Sequence, residues 1–194
     1  MPRAFLAITL PIAVRTTLEE CRATILDADP SWRSEKWVAP ENLHITLRFL
    51  GTVHETACAD VAIRVAQAVA SLEPYRMRLD VVRAVPRLRA ATMVWVGAST
   101  GIDETARLAE AVTRAVSFLD FEPEGRAFKT HVTLCRARQS RRLTPVAIDE
   151  AERLLSRAPD RSVTVSVHEV TLYASTLTPR GPVYDLLATM PLGV

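Results

Sequence analysis

The chain has 194 residues, 48% of them hydrophobic, and a formal net charge of only +2. That is enough apolar material for one sizeable core or two closely packed lobes, and it excludes a disordered chain and a uniform polycation. Arginine outnumbers lysine 22 to 2; an Arg fork matches a phosphate better than a Lys point charge, but only its position makes it a candidate.

Phe5–Leu10 is a short apolar run closed by Pro11 and reads as a buried strand. The apolar start, Met1 to Val14, carries Arg3 and Pro11 and no small-residue cleavage pattern, so no leader is expected. Val14, Leu18, Cys21, Ile25 and Leu26 recur at helical spacing over Val14–Ala28, and Asp29-Pro30 stops that helix. After Trp37-Val38, the run Pro40-Glu41-Asn42 signals a turn. Leu43–Leu50 alternates as a strand ended by Gly51, and the Ala-rich Thr56–Leu72 reads as a helix. Arg76–Val85 and Thr92–Gly97 are strands, Ile102–Leu119 a helix, and Phe128–Cys135 a strand. Val146–Arg157 is a helix, Ser162–Ala174 a long alternating strand, and Val183–Met190 the last strand. No stretch reaches the roughly 18 apolar residues of a membrane span. Cys21, Cys58 and Cys135 form no C-x-x-C pair and sit in periodic apolar stretches, so buried, reduced thiols in a cytoplasmic chain are expected.

This order predicts an α+β fold of mainly antiparallel sheet with outer helices. A strand, a helix and a His-bearing strand recur after position 92, with the two His strands 87 residues apart. Residues 1–194 therefore read as a single domain of two pseudo-symmetric, interleaved lobes facing each other.

The chemistry concentrates in His44-Ile45-Thr46-Leu47 and His131-Val132-Thr133-Leu134. In a strand, residues i and i+2 share a face, so each motif presents an imidazole and a hydroxyl together above an apolar face. Two such strands across a groove suit a cyclic phosphate. One neutral His takes a proton from water, and one protonated His gives a proton to the leaving oxygen. Thr46 and Thr133 can donate to the non-bridging oxygens. Arg48, at i+4 from His44, falls on the same face of a regular strand and is a candidate phosphate contact.

Competing readings weaken the other candidates. His54-Glu55-Thr56 also fits H-x-T but lies where a helix begins, so capping accounts for it. His168 alternates with apolar residues and is expected to be structural or solvent-facing. Neither main motif has a second His or a carboxylate at i+2, so no metal is expected. Six glycines include no phosphate loop, so neither ATP nor another cofactor is expected.

The segments Lys36-Trp37-Val38-Ala39-Pro40-Glu41-Asn42-Leu43-His44-Ile45-Thr46-Leu47-Arg48-Phe49-Leu50-Gly51 and Phe128-Lys129-Thr130-His131-Val132-Thr133-Leu134-Cys135-Arg136 resemble the two signature blocks of the two-histidine phosphoesterase superfamily. Within it, they look most like the RNA 2′,3′-cyclic phosphodiesterases, formerly called 2′-5′ RNA ligases. The likeness extends to Phe5-Leu6-Ala7-Ile8 and to Leu172-Tyr173-Ala174-Ser175-Thr176-Leu177, nearly the whole chain. The resemblance implies a bilobed fold with a central cleft and metal-independent hydrolysis of the cyclic ester to a 2′-phosphate. It allows weak reverse 2′-5′ ligation. The implied partners are RNA 3′ ends or small nucleotides with a 2′,3′-cyclic phosphate, met by a monomer away from membranes. The catalytic pair would be His44 and His131. Arg136 matches a family Arg expected to touch the phosphate, yet at an odd offset from His131 it reaches the site only if the strand bends near Cys135. Thr130 departs from the Pro that the family usually carries before the second His. A phosphodiesterase for another small cyclic phosphate or a 2′-5′ oligonucleotide, and a non-catalytic RNA-end-binding module, remain as alternatives. Sequence neighbours favour His131, beside Arg126, Lys129 and Arg136, as base and His44, near Glu41, as acid.

Overall fold

The computed structural model describes residues 3–119, 127–179 and 181–194. Its elements are β1 (Arg3–Thr9), α1 (Ile12–Ala28), β2 (Lys36–Trp37), β3 (His44–Thr52), α2 (Glu55–Val69), β4 (Tyr75–Val85) and β5 (Ala91–Thr100). Then follow α3 (Ile102–Ala115), β6 (His131–Arg141), α4 (Pro145–Arg157), β7 (Thr164–Val167), β8 (Glu169–Thr178) and β9 (Gly181–Pro191). They form two antiparallel sheets, ordered β3-β1-β8-β9 and β2-β6-β5-β4-β7. The α+β, two-lobed expectation agrees with this architecture.

The helices exchange sides. Helix α1 follows a strand of the first sheet yet packs on α4, which packs on β4 of the second. Helix α3 follows a strand of the second sheet yet packs on β3 and on α2, which covers β9 of the first. The strands alternate between the two sheets along the chain as well, β1, β3, β8 and β9 in one and β2 and β4 to β7 in the other. In α1 the repeat Val14, Thr17, Leu18, Cys21 and Ile25 is buried, the stripe expected of a helix covering a sheet. In α3 the acids Asp103 and Glu104 occupy the first turn and Arg114 the last, which suits the helix dipole. Gly101 enters that helix at φ 73°, and a Cβ there would stand 2.7 Å from the Arg76 carbonyl oxygen, so only glycine fits.

Three expected elements need correction. The segment Ser162–Ala174 is not one strand: β7 ends at Val167 in the second sheet and β8 starts at Glu169 in the first, with His168 between them. The period-2 alternation persists through this crossing, so hydrophobic pattern alone cannot reveal it. The strand expected at Phe128–Cys135 begins at His131 and continues to Arg141, because pairing with β5 carries the polar stretch after Cys135. The helix expected to reach Leu119 ends at Ala115.

Strands β3 and β6 come together where the two sheets approach. Each carries one of the two His motifs on its first turns of pleat.

Candidate active site

A bulge shapes each motif strand. On β3, Thr46 pairs with Ala7 and Arg48 with Leu6, which leaves Leu47 as an extra residue. On β6, Thr133 pairs with Trp95 and Cys135 with Val94, which leaves Leu134 extra. An unpaired extra residue advances the alternation by one, so the faces exchange after it. Burial follows: from His44 and from His131 alike the run is half-buried, buried, half-buried, buried, buried, exposed.

The bulge decides the two arginines in opposite ways. Arg136, five residues after His131, is turned onto the His131 and Thr133 face and lines the cleft. Arg48 is turned off it: it is buried and is not among the cleft-lining residues, while the exposed Phe49 takes that place. A regular alternation assigns both residues to the wrong faces, since one inserted residue inverts every later side.

The cleft encloses about 560 Å³ and is lined by His44, Thr46, His131, Thr133 and Arg136 together. The imidazoles are held in the same way. The His44 Nδ1–H donates to the Asn42 carbonyl at 2.7 Å, and the His131 Nδ1–H donates to the Lys129 carbonyl at 2.7 Å. A carbonyl only accepts, so Nδ1 carries the proton and Nε2 is left for proton transfer in both rings. Their neighbours differ. His44 Nε2 lies 2.9 Å from the Thr46 hydroxyl, and the ring is packed against Phe5 at 4.8 Å and edge-on to Tyr184 at 5.4 Å. His131 lies against Trp95 at 4.2 Å, while the Thr133 hydroxyl points to the Met93 sulfur at 3.7 Å.

Burial pulls both imidazoles below their ordinary pKa; the carbonyl bonds oppose it, and the Arg136 guanidinium pushes each down further. Lys129 adds to this at His131, and His131 itself adds to it at His44. Glu41 is not among the groups that shift His44, so the sequence argument that a carboxylate favours a protonated His44 lacks its partner. Arg126, invoked beside His131, lies outside the described residues.

Trp95, Tyr184, Phe128 and Met93 line the cleft and escaped the sequence reading. Met93, Trp95 and Tyr184 sit on ordinary alternating stretches that sheet register and chain crossing bring to the histidines, while Phe128 stands three residues before His131. The other H-x-T copy makes its own contact, His54 Nδ1 to the Thr56 hydroxyl at 3.0 Å, but it is exposed at the start of α2 and away from the cleft. His54 is the N-cap residue of α2, as its place at a helix start leads one to expect, but its side chain makes no capping bond. His168 is exposed at the β7–β8 crossing, as expected.

Comparison with known proteins places this geometry in context. The 2′-5′ RNA ligase superfamily matches residues 10–178. An RNA 2′,3′-cyclic phosphodiesterase of Aeropyrum pernix is 37% identical over 153 residues, which cover 78% of this chain and 83% of that one. A protein of the same name from Archaeoglobus fulgidus is 30% identical over 182 residues, 94% of this chain and 96% of that one. The crystal structure of E. coli LigT in apo form superposes with a TM-score of 0.74 at 25% identity, over 98% of this chain and 97% of that one.

Proposed function

The chain belongs to the 2′-5′ RNA ligase superfamily, and from that premise we propose that it hydrolyses a 2′,3′-cyclic phosphate at an RNA 3′ end to a 2′-phosphomonoester, with His44 and His131 as the proton-transfer pair. The observation that carries this is the matched tethering of two imidazoles, each with Nδ1–H on a carbonyl two residues back, in one cleft with Arg136. The Aeropyrum pernix and Archaeoglobus fulgidus relatives are named RNA 2′,3′-cyclic phosphodiesterases, which supports the substrate class.

In this reading a neutral imidazole takes a proton from water through Nε2 as the water oxygen bonds to phosphorus. The P–O3′ bond breaks, and the other imidazole, protonated, gives its Nε2 proton to the departing 3′ oxygen. Each such group is typically worth about 100- to 10,000-fold in rate. Arg136 and the Thr46 and Thr133 hydroxyls supply donors where negative charge builds on the non-bridging oxygens. Thr46 must turn from His44 Nε2 to do so. Both imidazoles favour the neutral form in the free cleft; a bound phosphodiester anion offsets Arg136 and favours protonation of one of them. Burial lowers both imidazoles most and Arg136 acts on both; Lys129 adds to it at His131 alone, and on that difference His131 is taken as the base and His44 as the acid. A 5′-hydroxyl in place of water gives weak 2′-5′ ligation by the same steps. The proposed steps need no metal, since imidazole, hydroxyl and guanidinium groups lining the cleft supply the proton transfers and the contacts to the anion.

The test is an oligonucleotide ending in a 2′,3′-cyclic phosphate, incubated with and without EDTA, with the product typed. A 2′-phosphate that forms regardless of EDTA is expected. A 3′-phosphate would reverse the leaving group, and binding without turnover would make the cleft an RNA-end-binding module instead.

A further inference from the structure

The cleft does not stop at His44. A second cavity of about 270 Å³ adjoins it there, walled by Thr9, Arg15, Glu41 and Tyr173, and it shares Asn42, His44 and Tyr184 with the cleft. Its polar wall is already organised: the Thr9 hydroxyl is hydrogen-bonded to Thr171 at 3.0 Å and to Tyr173 at 2.8 Å. Arg15 is the exception. Its Nε is buried with no hydrogen-bond partner, and among the described residues no ion pair joins it to Glu41, although both line the same cavity. A buried N–H donor without an acceptor is costly, and an acceptor on a ligand in this cavity would complete the Arg15 Nε, while the Glu41 carboxylate on the same cavity is exposed.

We propose that this cavity is the subsite for the nucleotide on the 5′ side of the cyclic end, with Arg15 receiving the phosphodiester that joins the two nucleotides. A bare anion fits poorly, because Glu41 repels it. A ribonucleotide fits both groups, its phosphate meeting the guanidinium and its 2′-hydroxyl donating to the carboxylate. At the opposite end a cavity of about 240 Å³ adjoins Trp95 and Lys129, but its arginine, Arg83, is already engaged by Glu152 and the Val82 carbonyl. Among the described residues lining these two cavities, the arginine with an unpartnered Nε lies at the His44 end, while the cation facing the opposite cavity, Lys129, sits over the Trp95 ring. The inference rests on the function proposed above and makes the preferred substrate an oligonucleotide rather than a cyclic mononucleotide.

The experiment compares kcat/KM for 2′,3′-cyclic AMP with that for the dinucleotide ApA carrying a 2′,3′-cyclic end. Wild-type protein should prefer the dinucleotide, and Arg15→Gln should lower the dinucleotide-to-mononucleotide ratio on the order of tenfold, the scale of one charge-assisted hydrogen bond. A substrate-side variant guards against misfolding. An uncharged methylphosphonate at the internal linkage should weaken wild-type protein by the same factor and the Arg15→Gln variant no further. Equal rates on both substrates in wild-type protein, an unchanged ratio in Arg15→Gln, or a methylphosphonate used as well as the phosphodiester would each overturn the subsite while leaving the cleft chemistry standing. A ratio lowered by Lys129→Gln instead would send the RNA out past His131. Turnover of neither substrate would defeat the functional reading itself.

Discussion

Strands β3 and β6 are two renderings of one device that differ in what their sixth residue brings to the cleft. Both begin with a histidine whose Nδ1–H is tied to a carbonyl two residues back, both follow it with a threonine on the same face, and both insert a leucine that inverts the pleat. After the insertion β3 presents Phe49 to the cleft and β6 presents Arg136. The fold thus duplicates the imidazole–hydroxyl geometry, while among the described residues the cations lining the cleft, Lys129 and Arg136, come from the second lobe. The rings differ as well: His44 has the Thr46 hydroxyl on Nε2 and aromatic packing from Phe5 and Tyr184, whereas His131 rests on Trp95. Duplication supplies two similar imidazoles, and unlike neighbours can then give them different roles.

Breaking the shared part should cost most. His44→Ala and His131→Ala should each lower turnover of a cyclic-phosphate-ended oligonucleotide by at least about 100-fold. The double variant should be little worse than the poorer single one, since the two act as a unit. Steady-state kinetics decide it, and near wild-type turnover in either single variant would end the paired mechanism.

Thr46→Val and Thr133→Val should each cost about 100-fold in kcat, the scale of one donor to a developing oxyanion, with thermal melting unchanged because the β-branched shape is kept. Only Thr46→Val removes a hydroxyl that touches an imidazole, so only it should alter the pH profile. Identical profiles would erase that difference between the strands.

Arg136→Met should lower kcat/KM by about tenfold, as expected for one charge-assisted hydrogen bond at an exposed side chain. It should also move the bell-shaped pH profile. Arg136 pushes both imidazoles down, so its removal raises both. The limb that follows loss of the base's proton and the limb that follows loss of the acid's proton therefore both shift to higher pH. A bell that stays in place would mean that Arg136 does not act on the histidines.

Arg48→Met should leave activity per folded molecule within about twofold, since Arg48 is buried off the cleft, and its effect should fall on stability, about 1 kcal/mol in a denaturant melt. A larger kinetic loss with an unchanged melt would return Arg48 to the site.

Some of this was legible in the residues alone. Alternation over His44–Leu47 and His131–Leu134 places imidazole and hydroxyl on one face in any register, because the side-chain period of a strand is a local property. The helices covering the sheets follow from stripes such as Val14, Leu18, Cys21 and Ile25 for the same reason. What lies more than a few residues away was not legible. The leucine bulges that bring Arg136 in and turn Arg48 out exist only relative to the strands beside them. The crossing at His168 keeps an unbroken alternation while the chain changes sheets. The juxtaposition of Trp95 with His131, and of Phe5 and Tyr184 with His44, depends on pairings between segments far apart in the chain. The sequence by itself determined which residue types share a face, since backbone stereochemistry sets that within two or three residues. Only the tertiary structure decided which faces meet, because register and sheet order are fixed by the collective burial of the core.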